Sequence, residues 1–342
     1  MAAAAWVASS SGAAAPGTPD CASAAVPACY FSFATPGDGG TLHYYASLAP
    51  PAAGATGATE PTRALIALHG HPRDANRTFD AALAAVRGGD ALADTLVVAP
   101  VFQVGAARAG RCRSPGVPDA ETGDALWTCA SWMEGGRADT GLTSFAALDA
   151  LAAELSRHWP SLRIVTVAGF SAGAQMVQHY VGFAGAAPPD VSMRYVVADP
   201  GSWLYFDRSR PVASGAGGCP DSNRWKYGTD DLPAALGRDA AAARGHYARA
   251  DVHYLQGALD AGDAPGTYYR ILDKSCAAMA QGADRLQRAL AYAAYDRALL
   301  APAAQRQLTI VPGCAHDVAC VFPAPAARNA LLGAPSPASR GR

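Results

Sequence analysis

Arg163-Ile164-Val165-Thr166-Val167-Ala168 leads through Gly169-Phe170-Ser171-Ala172-Gly173 into the helical pattern Gln175–Phe183. The first stretch is rich in β-branched residues and reads as a buried strand, and the last has the spacing of a helix. Between them lies G-x-S-x-G at a strand-to-helix junction. Such a turn holds its serine in a strained backbone conformation and presses strand against helix. Positions two before and two after the serine must therefore be small, and Gly169 and Gly173 are, with Ala174 helping. The N-terminus of the following helix adds partial positive charge. Alone the pentapeptide is a common accident; in this setting it makes Ser171 the candidate nucleophile.

Outward from this turn, short apolar runs alternate with helical patterns, which predicts an α/β protein with a mainly parallel central sheet flanked by helices. Strands are expected at Cys29–Ala34, Leu42–Leu48, Arg63–Leu68, Leu96–Val101, Arg163–Ala168, Met193–Ala198, Asp251–Gln256 and Gln307–Val311. Helices are expected at Thr143–His158, where Pro160 stops the pattern, and at Cys276–Leu300, a long amphipathic run. Two long segments, 103–140 and 207–250, break the rhythm and are read as insertions that wall a substrate cleft. One domain is expected over 29–332, after a leader or disordered segment 1–28 and before a disordered tail 333–342.

A serine hydroxyl needs a base. His316, in Val311-Pro312-Gly313-Cys314-Ala315-His316-Asp317, lies past the last predicted strand and fits best. His158 at a helix end, His179 on the helix after Ser171 and His253 inside a strand read as packed or surface histidines. An acid must orient the imidazole. Asp260, just past a strand, is the leading candidate; Asp263 and Asp199, the latter closing the preceding strand, remain open. Two backbone N–H groups should hold an oxyanion: that of Ala172, after the nucleophile, and that of His71, after the His69-Gly70 strand end. A metal reading of His69, His71 and Asp74 lacks a second cluster of ligands downstream, so no metal or other cofactor is expected.

The 342 residues are half apolar and carry a formal net charge of −1. No block of like charge points to nucleic acid or to an anionic membrane, and no run reaches the roughly 18 apolar residues of a membrane span. The eight cysteines form no Cys-x-x-Cys pair. An even set scattered through loops fits disulfides in an oxidising compartment, which predicts a secreted or periplasmic protein. Pairing by neighbourhood gives Cys21–Cys29, Cys112–Cys129, Cys219–Cys276 and Cys314–Cys320. Since eight cysteines allow about a hundred connectivities, only the first and last of these local pairs carry weight. Cys314 and Cys320 would bracket His316. Trp127 and Trp132 in the first insertion, and Trp203 and Tyr205 after Asp199, are read as cleft-lining aromatics for substrate.

From about Cys29 to Leu332 the chain resembles the α/β-hydrolase superfamily. The resemblance rests on the His69-Gly70 loop, the Ser171 turn, the Asp260 turn and the His316 loop, in that order. Within the superfamily it looks most like secreted esterases related to polyhydroxyalkanoate depolymerases and feruloyl or acetylxylan esterases. The cues are Leu68-His69-Gly70 followed by Asn76 to Phe79, the pentapeptide around Ser171, and the cysteines. It departs from them in carrying His71 where those enzymes often have Cys, and Ala172 where many polyesterases have Met. The resemblance implies an acyl-enzyme mechanism on a small or polymeric ester, without cofactor, in a monomer. A serine peptidase or amidase of the same fold, and a non-catalytic binding module, are the alternatives.

Overall fold

In the computed structural model, residues 20–51, 60–212 and 218–333 are described; the expectations for 1–19 and 334–342 lie outside them. Eight strands form one sheet: β1 (Tyr30–Ala34), β2 (Thr41–Ala46), β3 (Arg63–Leu68), β4 (Thr95–Val101), β5 (Ile164–Phe170), β6 (Ser192–Ala198), β7 (Asp251–Gly257) and β8 (Leu308–Val311), in the order β1-β2-β4-β3-β5-β6-β7-β8. The β1–β2 and β2–β4 pairs are antiparallel, and every later pair is parallel. The helices are α1 (Ala75–Gly88), α2 (Ser144–His158), α3 (Ala172–Phe183), α4 (Ala240–Arg249), α5 (Cys276–Met279), α6 (Arg285–Tyr295), α7 (Val318–Val321) and α8 (Arg328–Leu332).

Central strands covered on both faces read as near-continuous apolar runs, and β3 and β4 do. Alternate residues divide between two cores: Ala64, Ile66 and Leu68 pack with α2, α3 and α6, while Leu65 and Ala67 pack with α1, α7 and α8. After β4 the chain crosses back over β3 to add β5 on its other side. Loops leaving β3 and β5 therefore diverge, and they open the crevice in which α/β folds place their sites.

Several elements differ from expectation. The predicted helix Cys276–Leu300 breaks after Met279: Gly282 has φ +139°, a value only glycine adopts freely, and Asp284 caps α6 by accepting from Gln287 N. Residues 20–28 are held in place: Cys21 is bonded to Cys29, and Ala25 N–H donates to Asp80 at 2.7 Å. All four disulfides pair by neighbourhood as expected. No helix among the described residues is long and apolar enough to cross a membrane.

Candidate active site

Ser171 sits between β5 and α3 with φ 58° and ψ −118°, a strained conformation for a residue with a Cβ. The packing that maintains it is tight. A Cβ on Gly169 would lie 2.2 Å from the Gly173 carbonyl oxygen, and one on Gly173 would lie 2.4 Å from that of Leu68. Both glycines are required by backbone, not by side chains that could yield.

His316 stands in the loop between β8 and α7, against the Phe170 ring at 4.8 Å between centroids. Its Nε2 is 2.8 Å from Ser171 Oγ, and its Nδ1 is 2.8 Å from Asp260 Oδ2. A carboxylate can only accept, so Nδ1 carries the proton and Nε2 is left to accept from the serine hydroxyl. Burial pulls the His316 imidazole below its ordinary pKa, and the hydrogen bond to Asp260 opposes that pull. The loop is pinned by His316 N–H donating to Gly266 O, by the Cys314–Cys320 disulfide, and by Asp317 capping α7.

Asp260, buried beyond β7, also accepts from Arg285 Nη1 at 3.3 Å. Asp263 is exposed and makes no bond to His316. Asp199 is fully buried behind Asp260, and Gln256 Nε2 and Gly257 N donate to its Oδ1 at 2.7 and 2.8 Å. Of the three acids considered from sequence, only Asp260 meets the imidazole.

The β3 loop is shaped by Gly70 N–H donating to Asp74 at 2.9 Å and by Arg73 N–H donating to Gly70 O. That leaves the N–H of His71, like that of Ala172 at the first turn of α3, without an acceptor among the described residues. Two unengaged donors flank the serine. His69 is core: its Nδ1 is 2.8 Å from Gly70 O, its Nε2 accepts from Phe102 N, and burial pushes its pKa down to about 4. Both ring nitrogens are thereby engaged.

A cavity of about 470 Å³ opens over Ser171, lined among others by His71, Arg77, Phe170, Tyr268, Ile271 and Val318. Another, of about 410 Å³, lies at the opposite ends of the strands beside Asp149, Tyr195 and His246, away from the serine. The aromatics expected to line the cleft do not. Trp127 (2% exposed), Trp132 (0%), Trp203 (0%) and Tyr205 (1%) are core residues. Trp132 lies on His69 and Phe102, while Trp203 stacks on Tyr292 at 4.3 Å with its backbone N–H and C=O both bonded to the Gln281 side chain. Among the described residues, neither insertion supplies a lining residue. The wall comes from the segment between Asp260 and α5, where Tyr268 and Ile271 are 59% and 75% exposed. Its one signal in the sequence was an irregular stretch bearing Tyr268-Tyr269 directly after a candidate acid.

No protein-family model and no curated protein matches the chain in sequence. Solved structures do match its fold. Poly(aspartic acid) hydrolase-1 from Sphingomonas sp. KT-1 is 22% identical, with a TM-score of 0.56 over 85% of this chain and 94% of that one. LpqC, a poly(3-hydroxybutyrate) depolymerase from Bordetella parapertussis, is 19% identical, with a TM-score of 0.53 over 84% of this chain and 82% of that one. The fold is that of the α/β hydrolases.

Proposed function

We propose that this chain is a serine hydrolase that cleaves carboxylic esters through an acyl-enzyme. The observation that carries the reading is the relay from Ser171 Oγ through His316 to Asp260, with 2.8 Å at each step, mounted on a strained turn. Ser171 Oγ attacks the ester carbonyl as His316 Nε2 takes its proton. The N–H groups of His71 and Ala172 receive the oxyanion, and Asp260 stabilises the imidazolium through Nδ1–H. His316 returns the proton to the departing alcohol. Water, activated by the same nitrogen, then frees the acid.

The two similar structures are named for hydrolysis of poly(aspartic acid) and of poly(3-hydroxybutyrate), so oligomers of both kinds belong in the substrate panel beside simple acyl and feruloyl esters. Four disulfides support a place outside the cytoplasm, in an oxidising compartment. Monomeric behaviour on size-exclusion chromatography belongs to the same reading.

A fluorophosphonate probe should label Ser171, with no labelling in Ser171→Ala. A wild type that folds but takes no label is a binding module, not an enzyme. Turnover of p-nitrophenyl acyl esters should exceed that of aminoacyl anilides; the reverse order would make the chain an amidase.

A further inference from the structure

Parallel strands β6 and β7 run in register, Ala198 beside Leu255, so the residues that follow them emerge side by side. Asp199 and Asp260 thereby bring two buried carboxyl groups together behind His316, with one ligating atom from each of the three residues lying within 4.8 Å of the others. Both imidazole nitrogens are already engaged, Nδ1 with Asp260 and Nε2 with Ser171, so a cation there would have to break the relay.

The electrostatics of this pair are unbalanced. Arg285, on α6, is the one cation among the described residues that bonds to either carboxyl, and it reaches Asp260. Asp260 is also the acceptor for His316 Nδ1. Asp199 faces Gln256 and Gly257 of β7, Asp260 and, farther off, Arg285. Its Oδ1 accepts two hydrogen bonds, but its Oδ2 is buried without a donor. Two buried carboxyls this close, with a guanidinium bonded to only one of them, resist ionising together. The partners decide which one stays charged: Asp260 has two that favour the carboxylate, whereas the Asp199 Oδ2 has none.

We infer that Asp199 is a positioning residue that keeps its proton in the working enzyme and donates Oδ2–H to the Asp260 carboxylate, fixing that acid beneath His316. The inference rests on the serine-hydrolase reading for its consequence, but not for the protonation itself. It is consistent with burial and the nearby Asp260 charge driving the Asp199 carboxyl well above the usual carboxylate range, against the pull of Gly257 N–H and Arg285. Asp199 neither gives up nor takes a proton during turnover. Asp199 supplies a fixed dipole where a second charge would otherwise stand.

Infrared difference spectra of wild type against Asp199→Asn at neutral pH should show the carbonyl stretch of a neutral carboxylic acid in the wild type alone. That reading needs no activity, so it stands apart from any failure of the esterase proposal, which would appear as wild-type protein inert to esters and to fluorophosphonate. Asn preserves the shape and can donate from its amide where the acid donated from its hydroxyl. D199N should therefore lose no more than about five-fold in kcat/KM, with the acid limb of its pH profile in place. D199A should lose roughly ten- to a hundred-fold in kcat with KM little changed, because the acid is no longer held in line. Absence of the neutral-acid band would overturn the inference, as would a downward move of the D199N acid limb by about one pH unit, the mark of a lost negative charge beside His316. Wild-type kinetics in D199A would overturn the positioning role.

Discussion

Ser171 and His316 show how much one residue's chemistry depends on its immediate backbone. The serine is exposed to a carbonyl only because its φ is positive, and it tolerates that φ only because Gly169 and Gly173 let β5 and α3 close on each other and on the end of β3. The histidine is useful only while neutral at Nε2. Burial lowers its pKa from the ordinary value near 6.5, so protonation, which removes the base, sets in only at more acid pH. The acid limb of kcat/KM should accordingly have its midpoint below about pH 6.5. A midpoint at or above that value would mean that the charge of Asp260, not burial, governs the imidazole. The G-x-S-x-G spacing and the late His-Asp dipeptide were legible because steric demand and nucleophile activation are local properties. The choice among Asp199, Asp260 and Asp263 was not, because all three close or follow strands and only packing decides which one reaches the imidazole.

His316 belongs to an element with little regular structure of its own. Between β8 and α7 the chain makes a short excursion closed by Cys314–Cys320, with a separation of six residues. Closing a loop of that size contributes about 2 kcal/mol by chain entropy, a modest share of the stability of a protein this large. Its local effect is greater, since the bond sits two residues before His316. The double variant Cys314→Ala/Cys320→Ala should lose at least about ten-fold in kcat/KM while its unfolding free energy in urea falls by no more than about 2 kcal/mol. Unaltered kinetics in a folded variant would show that Gly266 and the Asp317 cap hold the loop unaided. This pairing was readable from the short spacing. The break of Cys276–Leu300 into α5 and α6 was not, because Gln281-Gly282 keeps the helical polarity pattern while the Gln281 side chain is spent on the backbone of Trp203.

On the scale of the molecule, a two-faced core holds four strand ends at one level, and the site is assembled from β3, β5, β7 and β8 without touching the other end of the sheet. Remote stability and local chemistry should then separate. Arg306, 4% exposed, pairs with the fully buried Asp296 at 3.0 Å and donates to the carbonyls of Tyr247, Ala248 and Ala250. Arg306→Met should cost roughly 3 kcal/mol, since it strands a buried carboxyl and three acceptors, while the kcat of the folded, fluorophosphonate-titrated fraction stays within about two-fold. Denaturant unfolding with active-site titration checks both. A loss below about 1 kcal/mol would mean that Asp296, whose pKa burial already raises, simply takes up a proton.

The sequence by itself determined the β/α alternation, the strained turn at Ser171, the order of serine, acid and histidine along the chain, and the two short-range disulfides Cys21–Cys29 and Cys314–Cys320. Each of these follows from residues near one another, where periodicity, steric need and loop length act directly. Only the tertiary structure decided that Trp127, Trp132, Trp203 and Tyr205 are core, that Tyr268 and Ile271 wall the cavity, and that Asp199 lies against Asp260. An aromatic ring in an irregular segment buries the same apolar area whether it meets a substrate or another side chain. Two acids some sixty residues apart become neighbours only because β6 and β7 end side by side.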